Sequence, residues 1–395
     1  MALVAAACSG SGQGEQKTSN AGRGATAAPP VTGGPLSGLR WPAEAIPSRA
    51  LLHDDGRRLW VVKLNGRARI VWRHPKVNVA ELAVGPGGRS LAYSILAKPH
   101  STKDASAFLY FLRSDGHVLT VDRVNNYETI SSLAFLRSPH EHDDAGMPTG
   151  PVRLYWVRSF LDTKTPASGE QEQAFVLTEG RLARVDMGLR EGEWPNWLAG
   201  YPGANVFTLK TFRIADQPTR FEVLLTRDSW NPWRSPHPAT ELKRWLSITN
   251  TDSGLSVAWL SPRDYVVSIR NRWAPQRSAL YLYRYGCEYM GGQRIIGGEG
   301  IERGLQYTDF PLLPGGPSTV LILRSRDVQG VRQGKRATAR WVAVNVNTGR
   351  AELTDVRWRP GGWWAYVQPA RNPAALALPM TDAGANCAKY HYGIP

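Results

Sequence analysis

The chain has 395 residues, 42% of them hydrophobic and 10% aromatic, with 15 Trp and 14 Tyr, so it can fill a core larger than that of one ordinary domain. Lysine and arginine outnumber acids by 48 to 33, a formal net charge of +15 that permits contact with anionic lipid, cell-wall phosphate or nucleic acid. No helix–turn–helix or RNA-binding signature accompanies the charge, so nucleic acid is not an expected partner. No stretch reaches the ~18 apolar residues of a membrane span.

The first segment, "MALVAAACSGSGQGEQKTSNAGRGATAAPPVTGGP", is a short apolar run ending at Cys8, followed by Gly, Ser, Ala, Thr and Pro. Residues 9–38 cannot bury a core and read as a flexible tether. The run, the small residues and the cysteine together resemble a bacterial lipoprotein signal. On that resemblance Ala5-Ala6-Ala7-Cys8 is the lipobox, residues 1–8 form the signal end, and Cys8 carries the lipid. Leucine is more usual at the position of Ala5, and the missing basic region predicts a natural start further upstream. The implied address is outside the cytoplasm, either periplasmic or on the outer face of the cytoplasmic membrane.

From residue 39 onward one turn recurs. "VGPGGRSLAYSI" (84–95) has counterparts at 136–160, 199–212, 260–273, 312–326 and 358–370. With Pro86, Pro139, Pro202, Pro262, Pro314 and Pro360 as markers, the gaps are 53, 63, 60, 52 and 46 residues. Proline presets φ, glycine accepts positive φ, and the alternating run behind each corner forms a strand. Between corners lie hairpins at 59–72, 108–122, 174–186, 244–259, 280–296 and 340–353, four with Asn-Gly, Asp-Gly, Glu-Gly or Thr-Gly turns. Each corner supplies the inner strand pair of a blade and the next hairpin the outer pair. The first hairpin lacks a corner and the last corner lacks a hairpin, so the two share a blade. The fold expected over 39–370 is all-β: a six-bladed β-propeller closed by pairing the N-terminal hairpin with C-terminal strands. Two smaller β domains or a sandwich are the alternative. Residues 371–395 form a tail, and Cys287 with Cys387 is a candidate disulfide that would pin it.

The corner at Gly85-Pro86-Gly87-Gly88-Arg89-Ser90-Leu91-Ala92-Tyr93 resembles the turn of TolB-like propellers, relatives of the WD-repeat proteins. Ser261-Pro262-Arg263-Asp264 and Pro360-Gly361-Gly362 follow it less closely. The resemblance implies an exported six-bladed propeller that docks partners around its channel.

There is no G-x-S-x-G elbow and no room for a hydrolase domain. "NTDSGLSVAW" (250–259) is a poor sialidase box and reads better as a hairpin turn. His140, His142, Asp143 and Asp144, with Glu141, offer nitrogen and oxygen to a divalent cation, although consecutive loop residues lack the rigid frame such a site needs. Arg324, Arg326, Arg332, Lys335, Arg336 and Arg340 form a basic run suited to anionic headgroups or wall polymers, or to plain solvated surface. Trp194, Trp197, Trp230 and Trp233 sit in proline–tryptophan loops that could stack on sugars or a proline-rich peptide, or cap blade ends. No catalytic residue and no cofactor is assigned. The expected function is binding or scaffolding of envelope proteins or peptides. The alternative is an enzyme or binder of envelope glycans, with an acid such as Glu193 at the channel mouth.

Overall fold

The computed structural model describes residues 33–97, 104–125, 128–137, 150–160, 173–178, 180–185, 193–204, 207–213, 220–226, 242–249, 253–271, 279–285, 293–296, 312–324, 340–357, 363–369 and 371. They form a β-propeller of four-stranded antiparallel sheets. In chain order, β1 (Leu51–Asp54), β2 (Arg58–Val62) and β3 (Ala68–Arg73) belong to sheet 1. Sheet 2 is β4 (Asn78–Val84), β5 (Leu91–Leu96), β6 (Ala107–Leu112) and β7 (Val118–Val124). Sheet 3 is β8 (Glu128–Arg137), β9 (Val152–Phe160), β10 (Gln173–Thr178) and β11 (Arg181–Val185). Sheet 4 is β12 (Glu193–Gly200), β13 (Phe207–Arg213), β14 (Arg220–Thr226) and β15 (Leu242–Thr249). Sheet 5 is β16 (Ser253–Trp259), β17 (Asp264–Asn271), β18 (Ala279–Arg284) and β19 (Gln293–Ile296). Sheet 6 is β20 (Leu313–Gly316), β21 (Thr319–Arg324), β22 (Arg340–Asn345) and β23 (Ala351–Arg357). The last strand, β24 (Trp363–Tyr366), returns to sheet 1 and pairs with β1, Leu51 opposite Tyr366 and Asp54 opposite Trp363.

Two details differ from the sequence reading. The last corner contributes one strand, not a pair, to the shared sheet. Its partner is the short apolar run "LLHD" at 51–54, so three N-terminal strands join one C-terminal strand. The stretch 244–259 is not a hairpin: β15 pairs with β14 in sheet 4, whereas β16 pairs with β17 in sheet 5. A short polar link signals reversal or crossover equally well, and the partner is chosen by distant strands. The outer pair of sheet 4 is therefore β14–β15.

Apolar side chains fill the spaces between neighbouring sheets. Leu52, Leu59, Val61 and Trp72 of sheet 1 pack against Leu82, Leu91, Tyr93 and Tyr110 of sheet 2. On its other side, sheet 1 sends Leu51, Val62, Trp364 and Tyr366 against Leu321, Leu323, Trp341 and Val356 of sheet 6. Further clusters join sheets 2 and 3, 3 and 4, 4 and 5, and 5 and 6. The body also takes in residues ahead of the expected boundary at 39. Leu36 is fully buried, and Trp41 donates its indole N–H to the Arg113 carbonyl at 2.7 Å.

The glycines of the first corner have a packing reason. Pro86–Gly88 makes a 3-10 turn in which the Gly88 amide donates to the Gly85 carbonyl at 3.0 Å. Gly88 has φ +76°, and a Cβ there would lie 2.7 Å from Val367 Cγ1 and 3.2 Å from Ile46 Cγ2. The corner must pass against the segment that follows β24, and only glycine leaves room. Gly88→Ala should lower stability by about 2 kcal/mol, combining strained φ with the clash. Urea unfolding checks this; a change within about 0.5 kcal/mol would contradict the packing.

Candidate functional site

The innermost strand of each sheet is β24, β4, β8, β12, β16 and β20, and each touches the next in that order, with β20 meeting β24 again. At the ends of these strands nearest the corners lies a cavity of about 160 Å³. All six innermost strands or their adjoining turns line it, through residues such as Val84, Phe135, Pro202, Trp259, Pro314 and Trp363. Its walls are chiefly aliphatic, aromatic and backbone, with Glu81, Gln368 and the Tyr366 hydroxyl as polar groups among the described lining residues. Among the described lining residues, Glu81 is the one carboxylate.

Glu81 sits in β4, where the ladder to β5 shifts register between Val79 and Glu81. It faces a second irregularity in β8 between Ser131 and Ala134. There Ser132 adopts φ +57°, an uncommon conformation for a residue with a side chain. That bend presents two successive amides: Ser132 N–H donates to Glu81 Oε2 at 2.5 Å and Leu133 N–H to Oε1 at 2.9 Å. Both carboxyl oxygens are thus engaged, and sheet 2 is clasped to sheet 3 beside the axis. Burial pushes the Glu81 carboxyl up and the two amides pull it back, leaving it at about 7. The folded state keeps a proton that the unfolded chain releases near 4.5. The associated stability is present below that pH and is lost as pH rises toward 7. Between pH 5 and 8 the protein should lose about 2 kcal/mol on this account. Glu81→Gln should flatten that part of the profile in urea titrations at the two pH values. An unchanged pH difference would refute the assignment.

Other polar groups near the axis also link sheets. Gln368, just after β24, donates to the Trp259 carbonyl at 3.2 Å, joining the end of sheet 1 to sheet 5. Tyr366 donates its hydroxyl to the Gly315 carbonyl of sheet 6 at 3.1 Å. The Trp259 indole donates to Thr208 Oγ1 at 3.2 Å, between sheets 5 and 4. The corner at Ser261 is held by its own side chain: Oγ accepts from the amides of Arg263 and Asp264 and donates to Asp264 Oδ2.

Trp194 and Trp197 do not lie on a loop. They occupy β12, the innermost strand of sheet 4, opposite Phe212 and Lys210. Pro195 is tolerated there because the strand has one unladdered edge and a register shift between Pro195 and Trp197. Glu193 begins the same strand. Arg324 and Arg340 close the β21–β22 pair directly opposite each other. Cys8, Cys287, Cys387, Trp230, Trp233, Arg326, Arg332, Lys335, Arg336, His140, His142, Asp143 and Asp144 lie outside the described residues. Among the described residues no cluster of three or more His, Cys, Asp or Glu is placed to hold a metal ion. No described helix is long and apolar enough to cross a membrane.

Sequence reasoning passed over groups that anchor one sheet to the next, namely Glu81, Asp54 and Asp122. Their signal is a charged residue inside an apolar strand, as in "VAELAV" (79–84), "LLHD" (51–54) and "VLTVDRV" (118–124).

No protein-family model matches the chain, and no curated protein is similar to it in sequence. Solved structures similar to it include an oligogalacturonate lyase in complex with manganese, at 14% identity and a TM-score of 0.45, covering 76% of this chain and 75% of that one. Prolyl oligopeptidase B from Galerina marginata, bound to a 25mer macrocyclization substrate, is 11% identical at a TM-score of 0.42, covering 79% of this chain and 40% of the peptidase. The uncharacterized protein lmo1340 from Listeria monocytogenes EGD-e is 10% identical at 0.36, covering 88% and 93%. Two of the three are enzymes, and at these identities none transfers an activity to this chain.

Proposed function

We propose that this chain is an exported β-propeller, tethered to the outer face of the cytoplasmic membrane through a lipid on Cys8, that binds envelope proteins or peptides at the corner face of its ring. In this reading the six sheets are the blades of one closed ring of TolB-like descent. The apolar clusters between successive sheets, including sheets 6 and 1, support closure.

One observation carries the functional part: the axial cavity is walled chiefly by backbone, aliphatic and aromatic groups, with Gln368 beside Glu81, its one described carboxylate. A retaining or inverting glycosidase needs two carboxyls about 5–10 Å apart, one of them free to deliver a proton. Glu81 has both oxygens on backbone amides and spans two sheets, which is a structural duty. A rigid ring with a largely apolar, corner-lined mouth and a few polar groups suits recognition instead.

The test is crosslinking in the native host, affinity capture and mass spectrometry, with full-length protein compared against Cys8→Ala. A defined set of envelope proteins that is lost with Cys8→Ala is the expected result. Glycan fragments co-purifying in place of proteins would overturn the reading and favour an enzyme or binder of envelope glycans.

A further inference from the structure

The described chain begins at Gly33, and the surface there has a distinctive chemistry. Residues 33–41 lie in the outer groove between sheets 1 and 2. The Trp72 indole of β3 donates to the Arg40 carbonyl at 2.8 Å, the Trp41 amide to the Gly116 carbonyl at 3.0 Å, and Thr120 Oγ1 of β7 to the Gly33 carbonyl at 3.0 Å. Thirty-two residues precede Gly33.

Sheet 1 offers this rim a basic edge. Between Gly56 and Ala80 there are seven Lys and Arg and no Asp or Glu, almost half the net charge of the whole chain. Arg57, Lys63, Arg67, Arg69, Arg73 and Lys76 are all exposed along or beside β3, the outermost strand. Arg58, beside them, is ion-paired with Asp55 at 2.9 Å. Acidic neighbours are few. Asp355 of β23 abuts the 63–67 turn through its amide, and Glu352 is paired with Arg350. Two large hydrophobic side chains are exposed among the described residues: Leu119 (41%) on β7 and Leu353 (54%) on β23, the outermost strands of the two sheets that flank sheet 1.

We infer that this rim, the basic outer edge of sheet 1, docks on an anionic lipid bilayer. The inference rests on the membrane-tethered reading above. On that reading Cys8 stands 25 residues ahead of Gly33 in the sequence, so the side against which Gly33 rests is the part of the described body closest along the chain to the lipid. Cationic side chains there meet lipid phosphates. The ring then stands edge-on, with the corner face turned sideways and open to partners.

The experiment uses the full chain carrying Cys8→Ser, so that binding owes nothing to the lipid, with vesicles of phosphatidylcholine with or without phosphatidylglycerol. Binding should require phosphatidylglycerol and fall at high salt. Joint replacement of Arg67, Arg73 and Lys76 by glutamate should weaken it at least about tenfold. Replacement of Arg332, Lys335 and Arg336 by glutamate should leave it within about twofold. All three rim positions are exposed, so an unchanged melting temperature serves as the folding control. Equal vesicle binding by the rim variant would overturn the inference, as would binding to a soluble glycerol-phosphate polymer with none to vesicles. Acyl labelling of Cys8 in cells reports separately on the anchor, so either claim can fail without the other.

Discussion

Replacing Asp54 with alanine is expected to cost about 4 kcal/mol of folding stability, a severe loss for one residue. Asp54 ends β1, is fully buried, and receives three donors. The Gly56 amide reaches Oδ1 at 2.7 Å, while the Tyr93 hydroxyl and His74 Nε2 reach Oδ2 at 3.0 and 2.9 Å. His74 Nδ1 faces the Pro75 carbonyl at 2.9 Å, an acceptor, so both ring nitrogens must carry protons to satisfy their partners. The imidazolium is thus buried against Asp54, and Tyr93 brings in sheet 2. Burial works against the charged ring, but the hydrogen bond and charge of Asp54 outweigh it, and the His74 pKa lies above its ordinary 6.5. The stability it contributes is complete below pH 6.5 and is lost as pH rises through the higher folded value. Asp54→Ala should therefore differ most from the parent in acid, and the gap should narrow above neutrality. Thermal melts of both proteins from pH 5 to 9 check the size and the trend. A gap that widened with pH would show that His74 is neutral in the fold.

Asp122→Asn should cost about 3 kcal/mol, acting between sheets 2 and 3. Asp122 lies on β7 with its side chain 3% exposed, and its partners lie across the gap on β9 of sheet 3. The Trp156 indole and Arg158 Nε donate to Oδ2 at 2.9 and 2.8 Å, and Arg158 NH2 donates to Oδ1 at 2.5 Å. The Arg158 guanidinium also covers the Phe175 ring of β10 at 4.2 Å from its centre. An asparagine supplies one acceptor where the guanidinium and the indole need two, and it removes the charge that balances Arg158. Denaturant unfolding of single variants and of Asp122→Asn with Arg158→Met separates the terms. The double variant should recover part of the loss, because no buried cation is left behind. A strictly additive double variant would contradict the pair.

The repeat was legible because its chemistry is local. Gly85-Pro86-Gly87-Gly88 dictates a turn wherever it stands, and Asn65-Gly66 and Asp115-Gly116 close hairpins with Gly66 and Gly116 at positive φ. Partner choice was less legible. Residues 250–252 look like a hairpin turn, yet β15 and β16 belong to different sheets. Trp194 and Trp197 looked like loop residues because prolines surround them, and the register shift that admits Pro195 comes from pairing with β13. The sheet-joining groups were the least visible. Asp54, His74 and Tyr93 are spread over 39 residues, and nothing in the spacing shows that one carboxylate gathers the others. The Glu81 clasp needs an unusual backbone conformation at Ser132, which composition does not announce.

Whether the corner face meets a protein is decided by position-resolved photocrosslinking in cells. A photoreactive residue in place of Pro202, which lines the axial cavity from a corner, should give discrete protein adducts. The same residue at Leu119, on the outer rim, should not. Equal adducts at both positions, or glycan in place of protein at Pro202, would contradict the account.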